Sequence, residues 1–494
     1  MELQFPKTQL EYLNRILWEV KNEEQTLEIK LSEAMPDIGK VLAVWSQPLL
    51  RSKDWRGGSM GVSGGVMLWV MYQPEDGSQP RTVEGWLPFQ MRWELPQTQR
   101  DGIMRVGCQV RSADARVTSA RKLMARAVVS VTAEALEPSS AQIPMPGELP
   151  ADIQVRKESY PVKLPTEAGE KSFLVDDELT VPSDQKGKLL YCTLRPELID
   201  KKVMADKVVF RGSAVLHGLV QGDDGSIKPL DMEVSFSQYA ELEREHDDRA
   251  TAEVVLMPTA LETELTEEGK LRMKGGMVGQ YVIYDRSVVE VVEDAYSNTR
   301  PVTLHSQPLQ LPAVLDTQQK KLTAEQPIPM EDGTVLDCAF GAAYPAQQRK
   351  EDAVELEFSG TFQILAAGED GSLLSKNARW EGGCQSLAAE DTRLCLWSGI
   401  TGQPHWHDGN ARCDICIDQQ TETQMQIPAI EALTLGEETK EKQERPSLIL
   451  CRPAGESLWQ IAKRCGSAVE AIRQANGIEN EPDPDAILLI PVQS

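Results

Sequence analysis

Basic charge is in short supply in this chain of 494 residues: 51 lysines and arginines face 76 aspartates and glutamates, a net charge of −25. That balance excludes a nucleic-acid backbone or an anionic membrane surface as main partner, because both reward a basic patch. Long apolar runs are missing as well. No stretch of 18 apolar residues occurs, so no membrane-spanning helix is expected. The opening MELQFPKTQLEYL lacks a basic segment followed by an apolar core, and no export signal is expected there. The nine cysteines are scattered rather than arranged as a framework, which fits a reducing compartment. Histidine occurs only five times. There is no Gly-x-Ser-x-Gly elbow, no Walker loop and no His-Glu-x-x-His pair, so no catalytic constellation is legible and a non-enzymatic protein is expected.

What the chain does contain is internal repetition. Gly39-Lys40-Val41-Leu42 returns as Gly187-Lys188-Leu189-Leu190. At the same offset of 148 residues, Pro48 falls on Pro196, Leu50 on Leu198, Lys53 on Lys201, Gly64 on Gly212 and Leu68 on Leu216. Asp76-Gly77 likewise falls on Asp224-Gly225. A third copy drifts by about two residues and carries Gly333-Thr334-Val335-Leu336, Phe358-Ser359-Gly360 and Asp370-Gly371. In each copy a β-branched, alternating run leads into an Asp-Gly turn, a hairpin signal because glycine tolerates positive φ. The runs Val62–Met71, Phe210–Val220 and Phe358–Ala366 are of this kind. The expected fold class is therefore mostly β and multidomain, with three tandem sandwich- or barrel-like repeats.

The expected boundaries are an amphipathic helix within 1–24, a first repeat over 25–137, a proline-rich linker over 138–157, repeats over 158–298 and 299–435, a charged linker over 436–446 and a small module over 447–494. The helix rests on Leu10, Leu13, Leu17 and Val20 at a/d spacing, with Ile16 and Trp18 beside them. It would either pack on the first β domain or serve as a docking helix. The linker rests on four prolines among residues 138–150. Residues 119–131 fit strand and helix equally well. Six of the ten tryptophans lie in the first hundred residues, as core filling or as a partner surface.

Two sets of residues invite a metal or redox reading. His405-x-His407 with Cys413-x-x-Cys416 has the donor types of a tetrahedral zinc site. Residues 412–418 nevertheless alternate like a strand, which would send the two cysteines to opposite faces. No metal and no cofactor is assigned. Cys451 and Cys465 would pair only in an oxidising compartment.

The final module reads as βααβ. Leu448-Ile449-Leu450 suits a strand, and Ser457 with Gln460 forms a capping box. Leu458, Ile461 and Ala462 give the helix an apolar face, and Gly466 is placed for a left-handed cap. Ser467 with Glu470 suggests a second capping box, Asn476-Gly477 stops the second helix, and Leu488–Pro491 closes the unit. This string resembles a LysM domain, through Gly455, the Leu458-Trp459-x-Ile461-Ala462 core, Ala475-Asn476-Gly477 and Leu489-Ile490-Pro491. The resemblance implies a ligand face of Gly455, Glu456, Ser457, Leu458, Trp459, Asn476, Gly477, Ile478 and Asp483. It also implies N-acetylglucosamine chains, as in peptidoglycan, or a protein as ligand. Trp459 is open between packing with a partly exposed edge and direct ligand contact.

The first repeat's Met35-Pro36-Asp37-Ile38-Gly39-Lys40-Val41-Leu42, with the pattern around Val62–Tyr72 and Leu87-Pro88-Phe89, resembles the SPOCS-type repeat. A tandem of such repeats before a C-terminal LysM resembles the SipL/SpoVID-like spore coat morphogenetic proteins. That resemblance implies a scaffold in the mother-cell cytoplasm at the forespore surface, bound to a SpoIVA-like coat ATPase and other coat proteins. From charge and the lack of a long apolar run, no nucleic acid and no membrane insertion are expected.

Overall fold

A computed structural model describes residues 1–96, 102–330, 333–437 and 447–492. Three repeats share one strand plan. In the first, Ile38–Arg56, Ser59–Pro74 and Arg81–Glu94 make an antiparallel meander, while Lys7–Lys30, Lys122–Pro144 and Ile103–Ser119 make a second sheet with Lys122–Pro144 in the middle. The second repeat builds the same two sheets from Lys188–Met204, Lys207–Gln221 and Ile227–Glu241, and from Ile153–Thr180, Lys270–Ser297 and Thr251–Leu265. The third uses Thr334–Ala342, Ala353–Ala367 and Leu373–Leu387, then Leu309–Pro327, Asn410–Ile427 and Thr392–His407. It adds a short strand, Ala346–Lys350. Each repeat is a sandwich whose two sheets close on a common core, such as Met60, Val62, Leu68 and Trp93 against Val106, Leu123 and Val129 in the first.

The Asp-Gly turns recur with one geometry. Asp76, Asp224 and Asp370 each accept a hydrogen bond from the backbone N–H of the serine two residues on, at 2.9, 3.0 and 2.9 Å. The glycine between them has φ of 77°, 81° and 78°. A side chain is strained in that conformation, which explains why all three repeats carry glycine there. The serine hydrogen bonds hold all three aspartates below the usual carboxylate range.

Several expectations are corrected. Residues 8–20 are not helical: they belong to the strand Lys7–Lys30, paired along its length with Lys122–Pro144. A register shift between Arg15 and Leu17 breaks the two-residue alternation, so apolar residues on either side of the bulge fall at spacings that imitate a helix. Residues 138–144 are the end of a strand rather than a tether. Past Leu136 that strand pairs only with Lys7–Lys30, because Ile103–Ser119 ends opposite Leu136, and an edge tolerates a proline's missing N–H. Residues 119–131 resolve as a tight hairpin between Ile103–Ser119 and Lys122–Pro144. Of the charged linker over 436–446, residues 438–446 lie outside the described residues. No helix among the described residues is long and apolar enough to cross a membrane.

The repeats are clasped together. Glu2–Gln4, Ile430–Leu435 and Val302–Ser306 form a separate three-stranded sheet that ties the N-terminus to the flanks of the third repeat. Beside it, Ile143, Val162, Leu164, Val289, Leu311 and Ile427 form an apolar layer drawn from all three repeats. Deeper lies a buried polar knot. Glu134, in the first repeat, accepts from Arg15 Nε at 2.6 Å and also binds Arg105. Arg105 reaches Glu253 of the second repeat at 2.9 Å, and Arg15 pairs with Glu422 of the third. Tyr284 of the second repeat donates to Gln420 of the third at 2.9 Å. Burial works against the Glu134 charge, yet Arg105 and Arg15 hold its carboxyl below the usual range.

A second knot joins the meander sheets. The buried Asp337 accepts from Trp45 Nε1 at 2.6 Å and Tyr191 OH at 3.1 Å, and meets His217 Nε2 at 2.7 Å. His217 Nδ1 meets Asp231 at 2.6 Å. Burial disfavours the imidazolium, but two carboxylates outweigh it and push the pKa up to about 9.

Two predictions follow from these knots. Glu134→Gln leaves two buried arginines short of a counter-charge and is expected to cost about 3–5 kcal/mol in urea unfolding; Glu24→Gln, at the exposed surface, serves as the control that barely moves. Because the folded-state pKa of His217 lies above its value of about 6.5 in an unfolded chain, its contribution is complete below that pH and is lost as pH rises toward about 9. Stability measured across that window should fall with pH in the parent and fall less in His217→Asn.

Candidate functional site

The C-terminal unit pairs Leu448–Cys451 with Leu488–Pro491 and places two helices between them, α1 over Leu458–Cys465 and α2 over Val469–Asn476. The start of α1 is set by the sequence as expected: the Ser457 side chain accepts from Gln460 N at 3.3 Å, and the Gln460 side chain accepts from Ser457 N at 2.9 Å. Gly466 takes the left-handed conformation at φ 67°, and Gly477 does so at φ 62°. The expected second capping box does not form. Ser467 is buried, its hydroxyl donates to the Pro491 carbonyl, and α2 begins one residue later behind Ala468, which offers no side-chain cap. Tying the helix junction to the closing strand takes the hydroxyl that would have capped α2.

Leu458, Ile461, Ala462, Ile472, Leu488 and Ile490 make the core of the unit. Asn476 stitches it further, donating to the Ile472 carbonyl at 2.8 Å and exchanging two 2.7 Å hydrogen bonds with the backbone of Leu489. The two strand–helix loops touch. Ala454 N donates to the Pro484 carbonyl at 3.2 Å, and Leu458 N donates to the Glu481 carboxylate at 2.7 Å. Of the nine residues assigned to a ligand face, Gly455, Gly477 and Asp483 are exposed and Glu456, Ser457, Asn476 and Ile478 are half-buried. Gly455–Ser457 thus sits beside Glu481–Pro484, forming a junction between the loops. Glu456 is held by Arg464 at 2.6 Å.

Two of the nine belong elsewhere. Leu458 is fully buried at 0 % exposure and holds the core, because its backbone N–H, not its side chain, faces the loop. Trp459 turns away from the loops and docks on the second repeat. Its indole N–H donates to Asp294 at 2.7 Å, and its ring stands edge-on to Tyr296 at 4.9 Å between centroids. Lys463 also binds Asp294 at 2.7 Å, and Tyr296 OH donates to the Ser467 carbonyl at 2.8 Å. Burial works against the Asp294 charge, but Lys463 and Trp459 hold its carboxyl below the usual range. The unit is thereby seated on the end of the strand Lys270–Ser297. Asp294, Tyr296 and Asn298, whose side-chain amide donates to the same Ser467 carbonyl at 3.3 Å, were invisible as a dock in the sequence, since the end of a strand carries no periodic mark of what will cover it.

The zinc arrangement is not formed. Cys413 is buried in the third repeat's core, while Cys416 is only partly buried. His405 and His407 pair instead opposite Arg412 and Asn410 at the hairpin end. Among the described residues no cluster of three or more His, Cys, Asp or Glu side chains is arranged to hold a metal. Cys451 and Cys465 are both free thiols.

The sequence model of the LysM domain family matches residues 454–491, the span from the first loop to the closing strand. No curated protein and no solved structure matches the chain.

Disrupting the dock should free the unit without unfolding it. Asp294→Asn combined with Tyr296→Ala removes a charged hydrogen-bond pair and a ring contact, a loss of about 2–4 kcal/mol in docking. The expected readout is a shifted Trp459 indole resonance and a larger radius of gyration by small-angle scattering, with the helix resonances of 458–476 still dispersed.

Proposed function

We propose that this protein binds an N-acetylglucosamine-containing glycan such as peptidoglycan, through the loop junction of its C-terminal unit. The observation that carries the reading is the coincidence of a LysM match over 454–491 with two loops held side by side at Gly455–Ser457 and Glu481–Pro484. A glycan offers hydroxyls and amides to hydrogen-bond, and the junction presents polar groups to meet them, with Asp483 exposed and Glu456 and Ser457 half-buried. The three sandwiches then act as a stiff, non-enzymatic body that presents the unit. Seating α1 on Asp294 and Tyr296 leaves the loops on the far side of Trp459 free to meet a polymer. That division also explains why the one tryptophan of the unit contributes to attachment and not to the ligand face.

A second reading draws on the order of the parts, three related β repeats followed by the LysM unit. It makes the chain a coat scaffold in the mother-cell cytoplasm, held at the forespore surface by a SpoIVA-like ATPase and other coat proteins. Recruitment would work by avidity, several weak contacts on one chain raising the effective concentration at one surface.

Sedimentation with purified peptidoglycan, run beside capture on a SpoIVA-like ATPase, distinguishes the two. The full chain should co-sediment with the glycan, removal of 447–494 should abolish it, and Asp483→Lys, at an exposed position of the junction, should weaken it about tenfold with the unit still folded. Co-sedimentation unchanged after removing 447–494 would defeat the glycan reading, and capture by the ATPase without glycan binding would favour the scaffold.

A further inference from the structure

Where the three meander sheets meet, the protein holds a cavity of about 340 Å³, within the range of small-molecule sites. Corresponding strands of all three repeats wall it: Ile38–Arg56, Lys188–Met204 and Thr334–Ala342 from the meanders, and Ile103–Ser119, Thr251–Leu265 and Thr392–His407 from the other sheets. Trp45, Tyr191, Phe340, Tyr344 and Trp397 bring aromatic rings to that wall, and Met257 adds a thioether.

The polar groups of the inner wall are spent on the protein itself. Trp45 Nε1 and Tyr191 OH both donate to Asp337, and His217 is held between Asp337 and Asp231. Gln47 accepts from Leu194 N at 2.7 Å and donates to the Pro48 carbonyl at 3.2 Å. Gln109 donates to the Ser398 carbonyl, and Thr193 donates to the His217 carbonyl at 3.1 Å. Gln363 Nε2, Trp397 Nε1 and Ser398 Oγ have no partner, but they carry almost no accessible surface and do not face the space. The inner wall therefore offers a guest mainly carbon. Water gains few hydrogen bonds in such a place, and an apolar molecule gains by leaving the solvent for it.

Charge narrows the guest further. The buried Asp337 carboxylate lies beside the lining, bound to Trp45, Tyr191 and His217, and it opposes an anion. Arg111 and Arg195, both half-buried on the same lining, oppose a cation. A charged guest would give up its hydration between these opposing fields. The rings favour an aromatic partner, set offset or edge-on against them, and a methionine sulfur favours one too.

We propose that this cavity binds a neutral, mainly apolar molecule carrying an aromatic ring system, seated among Trp45, Tyr191, Met257 and Phe340 at the junction of the three repeats.

The test uses the full chain and the neutral dye N-phenyl-1-naphthylamine, followed by fluorescence. Its emission should rise and saturate as the protein is titrated. Neutral 2-methylnaphthalene should displace the dye, whereas 2-naphthalenesulfonate and 2-naphthylmethylammonium should need a concentration about tenfold higher or more. Two variants fill the space: Ala339→Trp, and Gly399→Phe at a lining position where a Cβ meets nothing within 4 Å. Each should weaken the dye about tenfold or more with unchanged circular dichroism. Leu450→Ser, at an exposed leucine of the C-terminal unit, should leave binding as it was. Should one filling variant fail to fold, the other decides. Absence of saturable dye binding, displacement by either charged naphthalene as readily as by the neutral one, binding indifferent to both filling variants, or loss of binding in Leu450→Ser would overturn the proposal.

Discussion

Glu134 is the constraint on which the rest of the structure turns. It lies fully buried between Arg15 and Arg105, and those arginines carry its charge outward to Glu422 of the third repeat and Glu253 of the second. A buried carboxylate without partners is costly, and a set that closes only when three repeats are in place makes their assembly close to all-or-none. Such a set adds little net stability over an apolar core, but it fixes which sheets meet. Apolar layers alone, such as the one shared by Ile143, Leu164 and Leu311, would tolerate sliding.

The repeats are alike in plan and unlike at the place where they meet. Ala43, Tyr191 and Asp337 hold corresponding positions, each paired across the meander with Met71, Leu219 and Leu365. A small apolar residue, a phenol and a carboxylate at one position make a heterotypic contact that three identical copies could not form. Asp337 gathers Trp45, Tyr191 and His217 around itself, and the cavity opens beside that cluster. The copies therefore diverge at these contact residues, while the solvent-facing Asp-Gly turns keep one geometry. The C-terminal unit is attached by the same kind of chemistry, a carboxylate at the end of a long strand that receives an indole N–H and an ammonium.

Features governed by neighbours in the chain were legible in the sequence. The Ser457–Gln460 box and the glycine caps at 466 and 477 depend only on residues within a turn, and they form as read. The Asp-Gly turns were legible for the same reason. Failures came where a distant strand or a second demand on the same atom intervened. Residues 8–20 took their hydrogen bonds from Lys122–Pro144, and a bulge disguised their alternation. Ser467 gave its hydroxyl to Pro491, 24 residues on. Leu458 and Trp459 were adjacent in a motif, yet one faces the unit's core and the other a different domain.

By itself, then, the sequence determined the β-rich plan, the threefold repetition, the hairpin turns and the capped βααβ unit, because backbone preference and residue spacing act over a few positions. Only the tertiary structure decided that the N-terminal segment is a strand, that Asp294 and Tyr296 seat the unit, that Arg15, Arg105 and Glu134 knot three repeats together, and that a cavity lies between them. These depend on side chains brought together from hundreds of residues apart, and burial sets the worth of a charge or a hydrogen bond only after the chain has folded around it.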